Sequence, residues 1–258
     1  MNGVTGFFQS TGEMIKLFAE TIYWCKAAFR NRDKVFRQMA EIGNYTLPFA
    51  ALISVFVGAA LALETGPQLA LFGLEVNIGG IVATGMVREL GPVMTSMLVA
   101  GRVGSAMTAE IASMSVYQEV DALKTMDINP VRFLVMPRFL ATFITLPFLV
   151  IYMDVIGTFG GAVVSAVNHK INVPFSVYYR NVKLYIEFAD VLHGLIKATV
   201  FGVMVSIACC YVGLKTKGGP REIGTSVTKA VVLSFILILV FDYFITRVLI
   251  LFHVGYHY

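Results

Sequence analysis

Residues 79–110 read GGIVATGMVRELGPVMTSMLVAGRVGSAMTAE, and residues 111–138 continue as IASMSVYQEVDALKTMDINPVRFLVMPR. The first part has the pattern of an apolar, glycine-rich helix that is interrupted by the charged pair Arg88-Glu89. The second part is polar and acidic, and it ends in a basic cluster at which hydrophobic sequence resumes. The stretch therefore predicts a membrane helix that carries charge, followed by a short amphipathic helix in a loop.

The composition is typical of a membrane protein. Hydrophobic residues make up 57% of the 258 residues and charged residues only 14%, whereas soluble domains are usually about half apolar and about a quarter charged. The formal net charge of +4 is too small to indicate nucleic acid as a partner. The three cysteines suggest no disulfide framework, and the sequence has no metal-ligand motif, so we predict neither a metal nor another cofactor.

Five apolar stretches are long enough to cross a bilayer as helices, which takes about 20 residues each. They are residues 42–63, 78–101, 139–167, 191–214 and 228–252. We expect a single five-span domain over residues 42–258. Small residues recur at four-residue spacing, as in Gly58/Ala62 and Gly157/Gly161, which predicts close packing of helix backbones in lipid and identifies no ligand.

Residues 1–41 precede the first span and carry the pattern of an amphipathic helix. Apolar residues recur at helical spacing between residues 14 and 29, opposite Glu13, Lys16 and Glu20. These charges do not fit the uninterrupted apolar core of a cleavable signal peptide. Two interpretations stay open and can both hold: the helix lies at the membrane interface, or it packs on the body of the protein. The predicted fold is an all-α membrane protein with an N-terminal interfacial helix and five transmembrane helices.

Lysine and arginine are unevenly distributed among the segments that flank the spans. Six lie before residue 38, four in residues 102–138 and four in residues 215–229, against three on the opposite side. By the positive-inside rule, the N-terminus and residues 102–138 lie in the cytosol. Five spans then place the C-terminus on the other side of the membrane.

Three charged residues lie at membrane depth and are the main candidates for function. Arg88 and Glu89 lie about ten residues into the second span, and Lys197 lies about six residues into the fourth. Charge within a bilayer is costly and normally faces a cavity or a partner. Two interpretations remain open, either a polar patch that receives the headgroup of an amphiphile or ion pairs that join the spans. For Asp154, Asp242 and Arg247 we favour a structural role.

The segment between the second and third spans has an amphipathic pattern. Apolar residues alternate with charged or polar ones in this order: Glu110, Ile111, Met114, Gln118, Glu119, Val120, Asp121, Leu123 and Lys124. Asn129-Pro130 ends the pattern. The segment is interpreted either as a docking helix that a cytosolic partner pushes or as an ordinary solvated loop helix.

The order of several short motifs resembles one known family. RELGP at residues 88–92, AGRVGSA at 100–106 and TAEI at 108–111 are followed by DINP at 127–130 and PRF at 137–139. This series is similar to the MlaE family of ABC-transporter permeases, and the similarity extends more weakly toward both ends. The five spans and the N-terminal amphipathic helix agree with that family.

The resemblance implies a non-catalytic permease subunit that works as a homodimer in the bacterial inner membrane, with its N-terminus cytosolic and its C-terminus periplasmic. Its implied partners are a cytosolic ABC ATPase, a periplasmic lipid-binding ring of the MCE type and often a small STAS-domain subunit. The implied activity is transport of phospholipid between the inner and outer membranes, which maintains the lipid asymmetry of the outer membrane.

The resemblance also assigns roles to residues by position. Arg88, Glu89 and Lys197 match charged positions near the lipid pocket, and Lys229 matches a basic position at the start of the last span. Glu110, Gln118, Glu119 and Asp121 would belong to a coupling helix that contacts the ATPase.

Two alternatives to phospholipid transport remain at this point. Within the same family, the cargo could be a sterol or another hydrophobic solute, because apolar tails leave the same pattern in a sequence. From a different class, an intramembrane enzyme would need a nucleophile and a base at one depth, and only Asp190 with His193 comes near that requirement.

Overall fold

The computed structural model describes residues 2–26, 32–169 and 171–251, with side chains from residue 8 onward. All regular structure in these ranges is helical, which confirms the predicted all-α class. The α-helices are α1 (Asn2–Trp24), α2 (Arg32–Leu71), α3 (Ile78–Gly85), α4 (Gly91–Val99), α5 (Ser105–Val116), α6 (Glu119–Thr125), α7 (Met136–Val167), α8 (Phe175–Tyr185), α9 (Phe188–Lys215) and α10 (Pro220–Leu251). Three π-helical segments, Met86–Leu90, Ala100–Gly104 and Val131–Val135, and a 3₁₀ turn at Glu75–Asn77 complete the described elements.

Within the part of the chain that the structure describes, four helices are long and apolar enough to cross a membrane. They are α2, α7 together with the π-helical segment before it (Val131–Val167), α9 and α10. They contain the predicted spans 42–63, 139–167, 191–214 and, apart from residue 252, which lies outside the described residues, 228–252. The chain is therefore a multi-pass membrane protein.

The second predicted span is helical, but it is not one α-helix. Helical backbone runs from residue 78 to residue 116, beyond the predicted end at residue 101, as α-helices of 8, 9 and 12 residues separated by two π-helical segments. The first π-helical segment closes with an N–H of Gly91 that donates to the carbonyl of Met86. Pro92 has no N–H to donate, so the regular α-helical hydrogen bonds are interrupted at this point. Such π-helical insertions in α-helices often occur at functional sites.

The chain divides into two compact units. The first consists of the described residues of Met1–Gly43, Met97–Thr145 and Val200–Leu239, and the second of those of Asn44–Ser96, Leu146–Thr199 and Val240–Tyr258. The core of the first unit contains buried residues from several helices: Leu17, Ile111, Val131, Val135, Phe139, Ile207 and Cys210. The core of the second contains Ala62, Ile78, Val82, Met86, Ala162, Ile171, Val173 and Tyr178.

Helix α1 packs on the core of the first unit. Leu17 is buried there, and the rings of Phe18 and Phe139 lie 6.1 Å apart. Polar contacts add to this packing, because Asn129 donates a 2.9 Å hydrogen bond to Glu20 and the guanidinium of Arg132 lies over the ring of Trp24. The interpretation that this helix packs on the body of the protein is confirmed. The opposite face exposes the apolar side chains of Phe8, Ile15 and Ile22 at seven-residue spacing, so the interfacial interpretation remains open beside it.

In the second unit, small residues bring α2 and α7 into backbone contact. A Cβ atom on Gly58 would overlap the backbone of Gly157, and one on Gly160 would lie 2.4 Å from the carbonyl oxygen of Val55. The predicted close packing at Gly58 and Gly157 is confirmed. Tyr178 of α8, whose ring is buried, donates a 3.1 Å hydrogen bond to the carbonyl of Thr158. Burial raises the pKa of this phenol above its usual value.

Candidate functional site

The charged side chains of the second unit are assembled where α9 approaches the π-helical segment Met86–Leu90. A Cβ atom on Gly194 of α9 would lie 2.4 Å from the carbonyl oxygen of Val87, closer than real Cβ atoms come to a backbone oxygen. Only a residue without a side chain fits this contact. Gly194 therefore lets the backbones touch and brings the side chains on either side of it within reach.

The adjacent residues Arg88 and Glu89 bind α9 at two points, one on each side of Gly194. Arg88 Nε donates a 2.6 Å hydrogen bond to Asp190 Oδ1, and Arg88 Nη2 pairs with the same oxygen. Lys197 Nζ donates a 2.6 Å hydrogen bond to Glu89 Oε2. Asp190 and Lys197 are seven residues apart, hence about 10.5 Å along one face of the helix. The two side chains thus hold the helix one turn before and one turn after the contact.

Helix α10 contributes the third element of the site. Asp242 Oδ1 lies 2.9 Å from Lys197 Nζ, an ion pair without the directed geometry of a hydrogen bond. One turn later, the hydroxyl of Thr246 donates a long hydrogen bond of 3.5 Å to Glu89 Oε1. We call the five charged residues the charge cluster: Arg88, Glu89, Asp190, Lys197 and Asp242.

Exposure differs sharply between the members of the charge cluster. The side chains of Lys197 and Asp190 are 0% and 1% exposed, and that of Arg88 is 19% exposed. Asp242 is 22% exposed, whereas Glu89 is 43% exposed. The ammonium of Lys197 is thus enclosed, and the most accessible group of the charge cluster is a carboxylate.

Two further polar residues of the second unit are buried. His193 lies on α9 between Asp190 and Lys197, and among the described residues neither of its ring nitrogens has a hydrogen-bond partner. Asp154 of α7 is buried, and its Oδ1 also lacks a hydrogen-bond partner in the described part of the chain. The Asp190 carboxylate is engaged by Arg88 and by the backbone N–H of Glu187. Asp190 and His193 therefore do not form the acid–base pair that the enzyme interpretation requires.

Of the four residues predicted to couple to an ATPase, three lie on two helices of the first unit. Glu110 belongs to α5, whereas Glu119 and Asp121 belong to α6. Gln118 lies between them with a φ of 62°, in the left-handed region, so the stretch is not one continuous helix. The chain turns here, and α6 packs through Val120 and Leu123 against Leu134 of the π-helical segment Val131–Val135.

The outer side of this segment is charged. Glu119, Asp121 and Lys124 are exposed, which confirms the predicted amphipathic pattern of α6. Lys124 donates a 2.7 Å hydrogen bond to Asp121 and lowers the pKa of that carboxyl below its usual value. Glu110 is half-exposed and accepts a 2.6 Å hydrogen bond from Arg138. We call α6 with its exposed Glu119, Asp121 and Lys124 the acidic surface.

Two members of the charge cluster were absent from the residues predicted for the site. The sequence could have identified Asp190, because it lies seven residues before Lys197 and therefore on the same face of the predicted helix. Asp242 was interpreted as structural, and its contact with Lys197 joins residues 45 positions apart, which no periodicity reveals. Although Arg88 and Glu89 are adjacent in the sequence, each pairs with a different residue of α9.

Comparison with known proteins identifies relatives over most of the chain. Residues 35–248 match the family described as Permease MlaE. The chain is 43% identical to a probable ABC transporter permease protein of Rickettsia typhi, over 83% of this chain and 82% of that protein. It is 33% identical to the intermembrane phospholipid transport system permease protein MlaE of Haemophilus influenzae, over 83% of this chain and 81% of that protein. It is 34% identical to the chloroplastic protein TRIGALACTOSYLDIACYLGLYCEROL 1 of Arabidopsis thaliana, over 80% of this chain and 59% of that protein.

These matches agree with the resemblance carried by the motifs between residues 88 and 139. They extend it to α2, α7, α9 and α10, the long apolar helices described above. A permease of an ABC transporter works with an ATPase partner and is not itself catalytic. The chain belongs to the MlaE family of permeases and is the membrane-embedded, non-catalytic subunit of an ABC transporter.

Proposed function

We propose that this permease moves phospholipids between the inner and outer membranes of a bacterium, and that it holds the lipid in a cavity between the two protomers of a homodimer. The headgroup would lie beside Arg88, Glu89 and Lys197, and the acyl chains would lie along the apolar helices. The observation that carries this proposal is the charge cluster itself. An amphiphile needs a polar environment for its headgroup and an apolar one for its tails. An assembly of partly accessible charges within helices that are otherwise apolar offers both.

The names of the relatives support the same cargo. The Haemophilus influenzae protein is named as a permease of an intermembrane phospholipid transport system, and the match covers most of both chains. Phospholipids combine a charged headgroup with apolar tails, which suits a membrane cavity with one charged region.

The proposed topology has five spans in the inner membrane, with a cytosolic N-terminus and a periplasmic C-terminus. The span that is added to the four long apolar helices is the second along the chain, the helical run of residues 78–116. Its 39 residues correspond to a length of about 58 Å at 1.5 Å per residue. That length exceeds the hydrocarbon thickness of a bilayer, about 30 Å. The run would therefore cross the membrane and extend into the cytosol, which brings the acidic surface near a cytosolic partner.

The proposed partners are the ATPase in the cytosol, an MCE-type lipid-binding ring in the periplasm and a small STAS-domain subunit. The ATPase would contact the chain at Glu110, Gln118, Glu119 and Asp121. Its exposed carboxylates make the acidic surface a suitable contact for basic groups on that partner. Binding of ATP would move α5 and α6, and this movement would reshape the lipid cavity.

Mass spectrometry of the lipids that remain with the complex after purification from its native membrane tests this proposal. We expect diacyl phospholipids to be the main lipid recovered, and a strong loss of them when the charge cluster is disrupted. Recovery of a sterol or another hydrophobic solute in place of phospholipid would contradict the proposed cargo. Recovery of no lipid above the background of an unrelated membrane protein would contradict a lipid-binding cavity altogether.

A further inference from the structure

We infer that the headgroup of the cargo carries an ammonium group, and that the carboxylate of Glu89, with Asp242 beside it, is the group that binds this ammonium. The inference rests on the proposed function and specifies its substrate. It distinguishes phospholipids with a cationic group in the headgroup, such as phosphatidylethanolamine, from those with a purely anionic headgroup, such as phosphatidylglycerol. Three features of the charge cluster carry it.

The first feature is the balance of charge. The charge cluster contains two cations, Arg88 and Lys197, and three carboxylates, those of Glu89, Asp190 and Asp242. The formal charges of these five groups sum to −1. A net charge within the hydrocarbon region of a membrane is costly unless a partner compensates it. A zwitterionic headgroup with an ammonium leaves the sum at −1 and brings its cation next to the carboxylates, whereas an anionic headgroup makes the sum −2.

The second feature is which charges can be reached. Lys197 lies between Glu89 and Asp242, with its side chain fully buried, so its ammonium is already paired and enclosed. Arg88 is paired with Asp190, whose carboxylate is buried as well. The side chain of Glu89, at 43% exposed, is the most accessible of the five. An incoming headgroup therefore meets a carboxylate before it meets a cation.

The third feature is the hydrogen-bonding capacity that remains at Glu89. Its Oε2 accepts the hydrogen bond of Lys197, but among the described residues its Oε1 accepts only the long 3.5 Å hydrogen bond of Thr246. An ionised carboxylate can accept about four hydrogen bonds, and an ammonium offers three donors. Charge-assisted hydrogen bonds of this kind are stronger than neutral ones. A primary ammonium fits the free capacity of Oε1, whereas a phosphate or a glycerol headgroup brings no cation to it.

The test measures headgroup preference with the whole transporter complex in nanodiscs that contain equal amounts of phosphatidylethanolamine and phosphatidylglycerol. The complex is then extracted, and the two lipids that stay bound are quantified by mass spectrometry. We expect phosphatidylethanolamine to be enriched about tenfold, which corresponds to about 1.4 kcal/mol. Equal retention of the two lipids, or enrichment of phosphatidylglycerol, would overturn the inference while leaving phospholipid transport intact. Retention of neither lipid would contradict the proposed function itself.

The variant Glu89→Gln assigns the preference to this side chain. The amide oxygen of glutamine can still accept the hydrogen bond of Lys197, and Lys197 keeps its ion pair with Asp242, so the complex should assemble. We expect bound phosphatidylethanolamine to fall to about the level of bound phosphatidylglycerol, so that the enrichment falls toward one. The control Glu64→Gln removes an exposed carboxylate of α2 and should keep the wild-type ratio. Undiminished enrichment of phosphatidylethanolamine in Glu89→Gln would overturn the inference. If that variant fails to assemble, the ratio of phosphatidylethanolamine to phosphatidylglycerol on the wild-type complex decides whether the inference holds.

Discussion

The charge cluster and the acidic surface contain the same kinds of side chain, yet the protein uses them in different ways. In the charge cluster, Lys197 and Asp190 are buried and every charge has a partner on another helical element. On the acidic surface, Asp121 pairs with Lys124 one turn away, and both side chains are more than half exposed. A buried charge must be compensated within the protein, whereas an exposed charge is compensated by water and remains available to another molecule.

The comparison predicts that substitutions in the charge cluster change the stability of the fold, and that substitutions on the acidic surface change mainly its contacts with a partner. The expected changes in the free energy of unfolding differ accordingly. Removal of one partner from a buried ion pair typically costs about 3–5 kcal/mol, because the other charge is left uncompensated. An exposed pair typically contributes about 0.2–1 kcal/mol.

The largest effect is expected for Lys197→Met. Methionine keeps the approximate length of the apolar stem but removes the ammonium that lies between Glu89 and Asp242. Two carboxylates then remain without their cation, so we expect destabilisation of about 3–5 kcal/mol. Thermal unfolding of the purified permease in detergent measures it, followed by the tryptophan and tyrosine fluorescence or by circular dichroism.

The matched control is Lys183→Met, which removes an exposed lysine of α8 in the same unit. It should unfold at nearly the wild-type temperature. Partial recovery is expected when Asp242→Asn is added to Lys197→Met, because one of the two uncompensated carboxylates is then neutral. A wild-type melting temperature for Lys197→Met alone would mean that the charge cluster contributes no more to stability than an exposed pair does.

An intermediate effect is expected for Gly194→Ala. The new methyl group would lie 2.4 Å from the carbonyl oxygen of Val87, so α9 has to move away from the π-helical segment. Overpacking of this kind typically costs about 1–3 kcal/mol, and the movement lengthens both Arg88–Asp190 and Glu89–Lys197. The measurements are the melting temperature and the amount of bound phospholipid, and both should fall.

Gly224→Ala is the control for this substitution. Gly224 also lies in a helix, α10, but a Cβ atom there meets nothing within 4 Å. Alanine is favoured over glycine in a helix by about 0.5–1 kcal/mol, so this variant should be as stable as the wild type or slightly more so. If Gly194→Ala behaved in the same way, α9 would not need the close backbone contact to assemble the charge cluster.

The sequence alone predicted the charge cluster in part and the acidic surface almost completely. Arg88, Glu89 and Lys197 are visible in a sequence because each interrupts an apolar run, and the alternation around Val120 and Leu123 reveals which face of α6 is buried. Periodicity reports which face of one helix a residue occupies, so it could not reveal that Asp242 meets Lys197 or that Gly194 meets Val87. Those contacts join elements that are distant along the chain, and only their packing in three dimensions defines them.

The pattern of apolar residues also could not predict that the second span is divided into several helical segments. Pro92 signals an interruption of the helix, but it does not specify that the backbone continues as a π-helical segment that carries Arg88 and Glu89. The turn at Gln118 has a similar explanation. Its left-handed backbone is adopted by a glutamine without any glycine to mark it, so a continuous helix from Glu110 to Asp121 was the simpler expectation.

The smallest effect on stability is expected for Glu119→Lys on the acidic surface. Glu119 lies in the first turn of α6, where a negative charge is favoured by about 0.3–1 kcal/mol, so the melting temperature should fall only slightly. Association with the ATPase should weaken by roughly two- to fivefold, the range that an exposed charge contact of about 0.4–1 kcal/mol gives. Titration of the ATPase onto the permease in nanodiscs measures this, and the loss should diminish at high salt because exposed charges are screened. The control Glu64→Lys makes the same change of charge at an exposed residue of α2. If both variants weakened association with the ATPase equally, the net charge of the protein and not the acidic surface would be responsible. The division of roles between the charge cluster and the acidic surface would then be wrong.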